Sequence, residues 1–147
     1  MAIDVLKGIA AVIGCRVLIS PDIMCVSIAG IASIIGHNYP VWLKGKGGRG
    51  LSTAAGVMLV LGWYFVGIWC LVWGICYGVS KNIHLANLIA LVLSPVVIFC
   101  TPSQFYHLGF PAYTGSNQIF IVVTSITLIV LIRHAGPIAE LWKSNHA

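Results

Sequence analysis

The chain has 147 residues, of which 59% are hydrophobic and 7% are charged, and its mean hydropathy is +1.00. A soluble domain carries about 25% charged residues, so this composition excludes an ordinary water-soluble globular protein. The net charge of +5 does not indicate nucleic acid, because the basic residues lie in short gaps between apolar segments, where they orient a membrane protein. We expect one integral membrane domain, residues 1–147, with the lipid bilayer as its partner.

Six apolar segments follow one another along the chain and predict an all-α, polytopic transmembrane helical bundle. A straight span needs about 20 apolar residues, so residues 51–79 form either one tilted helix or two short ones hinged near Gly62. The positive-inside rule favours two, since every basic cluster then lies on the cytoplasmic side. The six predicted segments are 3–19, 23–43, 51–62, 64–79, 85–100 and 119–132.

Cysteine usage and the loop at 101–117 point to membrane packing. The five cysteines are odd in number, contain no C-x-x-C pair and lie mostly inside apolar segments, so we expect no disulfide framework and no zinc site. No cluster of His, Cys and carboxylate residues suggests another metal.

The loop at 101–117 is uncharged, and an interfacial belt is preferred to a ligand site for its aromatic residues Phe105, Tyr106, Phe110 and Tyr113.

Residues 44–50, which we call the glycine loop, carry the strongest chemical signal. Four of the six residues from 45 to 50 are glycine, and Lys46 and Arg49 lie between them. Glycines let successive backbone N–H groups converge, and the helix that starts near Leu51 adds free N–H donors, while the two cations suit phosphate oxygens. The spacing is not that of a Walker loop. The sequence predicts a phosphate site, with a flexible basic hairpin that only sets topology as the alternative.

The stretch from Gly36 to Thr53 reads G-H-x-x-P-x-x-L-K-x-K-G-G-R-G-x-x-T. It resembles the second motif of the acyl-phosphate:glycerol-3-phosphate acyltransferases, a family of small bacterial inner-membrane enzymes, with Arg49 at a position where the family has lysine. Residues 4–8 (D-V-L-K-G) resemble the family's D-x-x-K-G, and Arg133-His134 resemble the start of its third motif. These elements occur in the family's order over the whole chain.

The resemblance also has gaps. The family's first span and its first motif, S-G-N-x-G-A-T-N, have no counterpart, because the chain begins where that part would end. In the third motif, Pro137 replaces an asparagine and Glu140 replaces an arginine. The alternatives to an active enzyme are therefore a truncated or non-catalytic relative that binds phosphate or lipid and, less favoured, a small transporter. Against a transporter, the chain has no inverted repeat and only three acidic residues.

The resemblance implies acyl transfer from acyl phosphate to the 1-hydroxyl of glycerol 3-phosphate, which gives lysophosphatidic acid. It implies no cofactor and a bacterial plasma-membrane enzyme with the glycine loop in the cytoplasm. The implied catalytic residues are His134 and His37, although His37 has the alternative of binding a backbone carbonyl. Asp4 and Lys7, which belong to the D-x-x-K-G resemblance, have the alternative of a simple ion pair on one face of the first helix. The implied substrate- or phosphate-binding residues are Lys44, Lys46, Gly47, Gly48, Arg49, Gly50, Thr53 and Arg133.

Overall fold

The structure is a computed structural model that describes residues 1–45, 47–102 and 116–144; in the last helix it describes the side chains of residues 117–134. Three predictions therefore concern residues outside the described part. They are the phosphate-binding role of Lys46, the interfacial belt of Phe105, Tyr106, Phe110 and Tyr113, and the consequences of Pro137 and Glu140 in the third motif.

The described residues form five α-helices and no β-strand, which confirms the predicted all-α fold. Polar residues between the apolar segments cap the helices that follow them. Asp22 Oδ2 accepts hydrogen bonds of 3.0 Å from the N–H groups of Met24 and Cys25 at the start of the second helix. Asn82 caps the fourth helix in the same way. The helices are α1 (Ala2–Leu18), α2 (Ile23–Asn38), α3 (Leu51–Ser80), α4 (Ile83–Cys100) and α5 (Ser116–Ser144).

Four stretches in the described part are long and apolar enough to cross a membrane, as a polytopic transmembrane bundle requires. This number is smaller than the six predicted segments. The predicted segments 51–62 and 64–79 are joined in α3, which has 30 residues, and α1 has only 17. The four stretches are Ile23–Leu43, Leu51–Ser80, Ile83–Cys100 and Asn117–His134.

A sharp bend divides α3 at Gly62, where the sequence predicts a hinge. Gly62 leaves the helical conformation, with φ 176° and ψ 92°. Leu51 and Trp69 line the same cavity, although a straight helix would separate them by about 27 Å. His84, at the start of α4, also lies close enough to His134 in α5 to act on it electrostatically. The two arms of α3 therefore fold toward each other, and α3 ends on the side of the bundle where it begins.

Two glycines let α1 and α3 pack closely. A Cβ added to Gly8 would meet the carbonyl oxygen of Thr53, and one added to Gly56 would meet the carbonyl oxygen of Val5. Helix backbones come this close where small residues face each other. Because this contact involves the first turns of α1 and α3, both helices start at the same face of the bundle.

At the opposite face of the bundle, the end of α1 lies beside the start of α2. Sγ of Cys15 is 3.5 Å from Sγ of Cys25, and all five cysteines are free. The helices α1 and α2 are thus an antiparallel hairpin, and the end of α2 returns the chain to the face where α1 begins.

The outside of the bundle is as apolar as its centre. Val12, Ile34 and Leu61 are fully buried, whereas Val79 and Phe99 are 84% and 66% exposed. An apolar exterior of this kind suits lipid rather than water as the surrounding medium.

Candidate functional site

The glycine loop begins with a reversal of the chain after α2. Pro40 has no N–H group and lies two residues after Asn38, the last residue of α2. A single turn of 3₁₀-helix then spans Val41–Leu43. Lys44 and Gly45 come next, with left-handed φ values of 50° and 75°. The N–H of Gly45 donates to the carbonyl oxygen of Pro40 over 3.1 Å. This turn directs the following glycines back against the end of α2.

Arg133 of α5 holds the loop from one side. Its Nε–H donates to the carbonyl oxygen of Gly48 at 3.2 Å, and its Nη2 donates to those of Gly45 and Gly47 at 3.0 and 3.3 Å. The guanidinium also lies over the Tyr39 ring, 5.1 Å from the ring centre, as in a cation–π contact. These donors bind the loop itself, so the role of Arg133 as a phosphate ligand stays a prediction.

His37 supports the loop from the other side. Its carbonyl oxygen accepts a hydrogen bond of 3.3 Å from the N–H of Gly48, and a Cβ added to Gly48 would collide with its imidazole ring. Nδ1 of His37 faces Oδ1 of Asp4 at 3.5 Å. The alternative in which the His37 ring only binds a backbone carbonyl is therefore wrong for Nδ1, whose neighbour is a carboxylate. Asp4 is likewise not paired with Lys7; its two carboxylate oxygens face the Met1 amino group and Nδ1 of His37.

The start of α3 presents unused hydrogen-bond donors beside the loop. Gly50 precedes the helix with φ 78°, and no side chain caps it. Within the part of the chain that the structure describes, the N–H groups of residues 51–53 have no acceptor. Such a helix terminus attracts anions through its free donors and its dipole. Arg49 is exposed next to it and adds a full positive charge.

A buried polar layer lies beneath the loop. The side chain of Asn38 is fully buried, and a Cβ added to Gly50 would collide with its amide. Neither the amide of Asn38 nor the hydroxyl of Thr53, which is also fully buried, has a hydrogen-bond partner among the described residues. The burial of Thr53 at the crossing of α1 and α3 does not favour its predicted contact with substrate, which stays a prediction.

His134 lies one turn beyond Val130 in α5 and is 7% exposed. Its Nδ1 is 2.9 Å from the carbonyl oxygen of Val130, so in the neutral ring Nδ1–H donates there. This tautomer leaves the lone pair of Nε2 available to accept a proton. Arg49 is among the groups that act on His134 electrostatically, which brings this predicted catalytic residue to the glycine loop.

An apolar cavity of about 80 Å³ adjoins this polar face. It is lined by both arms of α3 together with α4 and α5, and Leu51 and Val130 are among its lining residues. Leu51 is the first residue of α3, and the carbonyl of Val130 holds His134. The cavity therefore extends from the glycine loop into the bundle.

The structure thus brings the described members of the predicted site to one face. Lys44 and Arg49 are exposed, Gly47, Gly48, His37 and Arg133 are half-buried, and Gly50 and His134 are buried. Sequence reasoning missed Asp4 as a neighbour of His37. The available signal was an acidic residue entering an apolar segment, which needs a partner, but only Lys7 was near in sequence. Among the described residues, no group of three His, Cys, Asp or Glu side chains is arranged to hold a metal ion.

The family model described as glycerol-3-phosphate acyltransferase matches residues 1–144. A glycerol-3-phosphate acyltransferase of Bartonella henselae is 31% identical over 140 residues, which are 94% of this chain and 61% of that protein. The enzyme of the same name from Jannaschia sp. is 32% identical over 145 residues, 99% of this chain and 64% of the relative.

A third relative of the same name, from Prochlorococcus marinus, is 32% identical over 145 residues, 97% of this chain and 65% of its own length. The chain thus spans a little less than two thirds of the length of these curated relatives. No solved structure matches it.

Proposed function

Because the chain belongs to the glycerol-3-phosphate acyltransferase family, we propose that it transfers an acyl group to the 1-hydroxyl of glycerol 3-phosphate, giving lysophosphatidic acid. The acyl donor in this proposal is acyl phosphate. The observation that carries the proposal is the position of the uncapped start of α3 at the end of an apolar cavity. An anion site directly beside an apolar cavity suits a substrate that joins a phosphate to an acyl chain.

The glycine loop and the start of α3 bind phosphate in this mechanism. The N–H groups of residues 51–53 point to the anion, and Arg49 supplies a full charge beside them. Lys44 and Lys46 add further positive charge from the same loop. Arg133 contributes by holding the carbonyl groups of Gly45, Gly47 and Gly48, which fixes the path of the loop beside the start of α3.

The apolar cavity takes the first part of the acyl chain. Its lining is almost wholly hydrocarbon, and the rest of the chain lies along the apolar exterior of the bundle. The carbonyl carbon of the acyl phosphate is thereby kept near the loop, and the two substrates react by proximity.

The chemical step needs no covalent enzyme intermediate. The 1-hydroxyl oxygen of glycerol 3-phosphate attacks the carbonyl carbon of acyl phosphate; an ester C–O bond forms, and the C–O bond to phosphate breaks with its electrons leaving on inorganic phosphate. Nε2 of His134 accepts the hydroxyl proton or orients the hydroxyl toward the departing phosphate. Arg49 and the N–H groups of residues 51–53 stabilise the negative charge that develops. The loop faces the cytoplasm of a bacterial cell, where both anionic substrates occur.

The test is acyl transfer to glycerol 3-phosphate by the purified chain in detergent, with acyl phosphate and acyl-CoA compared as donors. We expect lysophosphatidic acid with acyl phosphate as the donor. Arg49→Lys should retain activity, whereas the acyl-transfer activity of Arg49→Ala should fall about 100-fold, as it does when one transition-state donor is lost. Lys81→Asn is the matched control, since it removes a charge on the same face at a left-handed position that Asn tolerates.

The alternative is a partial or non-catalytic relative that binds phosphate or lipid at the membrane. The observation that favours it is the third motif, in which Pro137 and Glu140 replace an asparagine and an arginine. Binding of glycerol 3-phosphate without product from either donor would support this alternative and contradict the enzyme.

A further inference from the structure

Asp4 has no part in the reaction described above, yet it contacts the site. It lies in the first turn of α1 with its side chain 26% exposed, and its two carboxylate oxygens have different neighbours. Oδ2 is 3.3 Å from the Met1 amino nitrogen, and Oδ1 is 3.5 Å from Nδ1 of His37. A carboxylate beside one ring nitrogen fixes the orientation and the tautomer of an imidazole. Asp4 therefore links α1 to the side chain on which the glycine loop rests.

The position of the His37 ring determines where Gly48 can lie. The ring is 17% exposed, and a Cβ on Gly48 would collide with its Nε2, Cε1 and Cδ2 atoms. The N–H of Gly48 also donates to the carbonyl oxygen of His37. Gly48 is thus bound to the backbone of His37 and packed on its ring, so a rotated ring would displace the loop from the position in which Arg133 holds it.

We propose that Asp4 is a positioning residue of the glycine loop and acts through His37. Its carboxylate holds the ring in the orientation that seats Gly48, and the seated loop keeps Arg49 beside the free N–H groups at the start of α3. The catalytic consequence of this inference rests on the proposed function, in which the loop is part of the phosphate site. The position of the loop itself can be measured without any substrate.

Limited proteolysis of the full chain in detergent measures the loop directly. Trypsin cleaves after Lys44 and Arg49, both of which are exposed. We expect Asp4→Asn to increase the rate of cleavage in the loop by roughly three- to tenfold, the range expected when a partly buried charged contact is lost. Asp22→Asn makes the same charge change at the far end of the α1–α2 hairpin, where Asn also caps α2, and should leave loop cleavage unchanged.

A double-mutant cycle separates positioning from a general effect on α1. An acidic residue in the first turn also stabilises its own helix, and that effect would not need His37. We expect His37→Gln to speed loop cleavage as Asp4→Asn does, and the double variant to be no faster than His37→Gln alone. Additive effects, or loop cleavage of Asp4→Asn equal to that of the wild type, would overturn the proposal.

Kinetics then test the catalytic consequence. We expect Asp4→Asn to raise the KM for glycerol 3-phosphate by about tenfold with a smaller change in kcat, and Asp4→Glu to recover part of the loss. A fall in kcat alone, or a KM equal to that of Asp22→Asn, would contradict a role through the phosphate loop. A wild-type chain without acyl transfer would overturn the proposed function while leaving the proteolysis result as the test of the Asp4 contact.

Discussion

At the scale of single residues, the two arginines of the site have different surroundings and therefore different tasks. The guanidinium of Arg133 faces three carbonyl groups of the glycine loop, whereas Arg49 is exposed beside the free donors of α3. A planar fork with several donors can bind several carbonyl groups at once, and an ammonium group cannot reproduce that geometry.

The first prediction concerns Arg133→Lys, which keeps the charge but loses the fork. We expect tryptic cleavage of the substrate-free loop to become roughly tenfold faster, because hydrogen bonds to a charged group contribute about 1.5–3 kcal/mol each. Unchanged cleavage of the free loop together with weaker binding of glycerol 3-phosphate would instead make Arg133 a phosphate ligand.

A second residue-scale prediction compares two glycines that flank the same histidine. Gly48→Ala places a Cβ on the His37 ring, while Gly36→Ala places one where nothing lies within 4 Å. We expect Gly48→Ala to lower acyl transfer by at least about tenfold, since the loop must shift, and Gly36→Ala to retain wild-type activity. Equal activities of the two variants, measured at matched protein amounts, would show that the packing of Gly48 on His37 has no functional role.

At the scale of helices, the contact between α1 and α3 sets the site, because it brings Asp4 and the start of α3 to one face. Gly8 and Gly56 permit this contact through close backbone approach. The membrane offers little hydrophobic force between helices, so packing of this kind carries much of their association.

The third prediction tests that contact with a matched pair of substitutions in α1. A Cβ on Gly8 would meet backbone atoms of Thr53 and Val57, which cannot move aside as a side chain can, whereas a Cβ on Gly14 meets nothing within 4 Å. We expect Gly8→Ala to destabilise the protein by about 1–3 kcal/mol and Gly14→Ala to be neutral or stabilising by up to about 1 kcal/mol. Thermal unfolding in detergent measures both, and equal midpoints would contradict the close α1–α3 contact.

At the scale of the whole molecule, the bend in α3 decides which loops share a side of the membrane. Because the arms fold toward each other, Lys81 lies on the same side as the glycine loop, and Ser20, between α1 and α2, lies on the opposite side. The positive-inside rule then predicts that the side with Lys44, Arg49 and Lys81 faces the cytoplasm.

The fourth prediction concerns single cysteines introduced at position 20, 44 or 81 in a chain whose native cysteines are replaced. In intact cells, an external membrane-impermeant maleimide should label Ser20→Cys but neither Lys44→Cys nor Lys81→Cys, which react only after the membrane is opened. External labelling of Lys81→Cys would mean that α3 crosses the membrane once as a straight helix.

The amino-acid sequence by itself determined the membrane class, the limits of most helices, the hinge near Gly62 and the glycine loop with the family it indicates. These features depend on composition, on local helix capping and on residues that are contiguous in the chain, so they can be read without knowing which helices are neighbours. Hydropathy alone does not distinguish one long bent helix from two short helices at residues 51–79; the structure joins the two predicted segments in α3 across the bend at Gly62.

Only the tertiary structure decided which residues work together at the site. Asp4 and His37 meet through the packing of α1 on α2 and α3, and the contact between Arg133 and Gly45 joins residues separated by 88 positions. The partner of a charged side chain that is distant in sequence depends on how helices pack, and helix packing depends on shapes such as those of Gly8 and Gly56, which composition and periodicity do not encode.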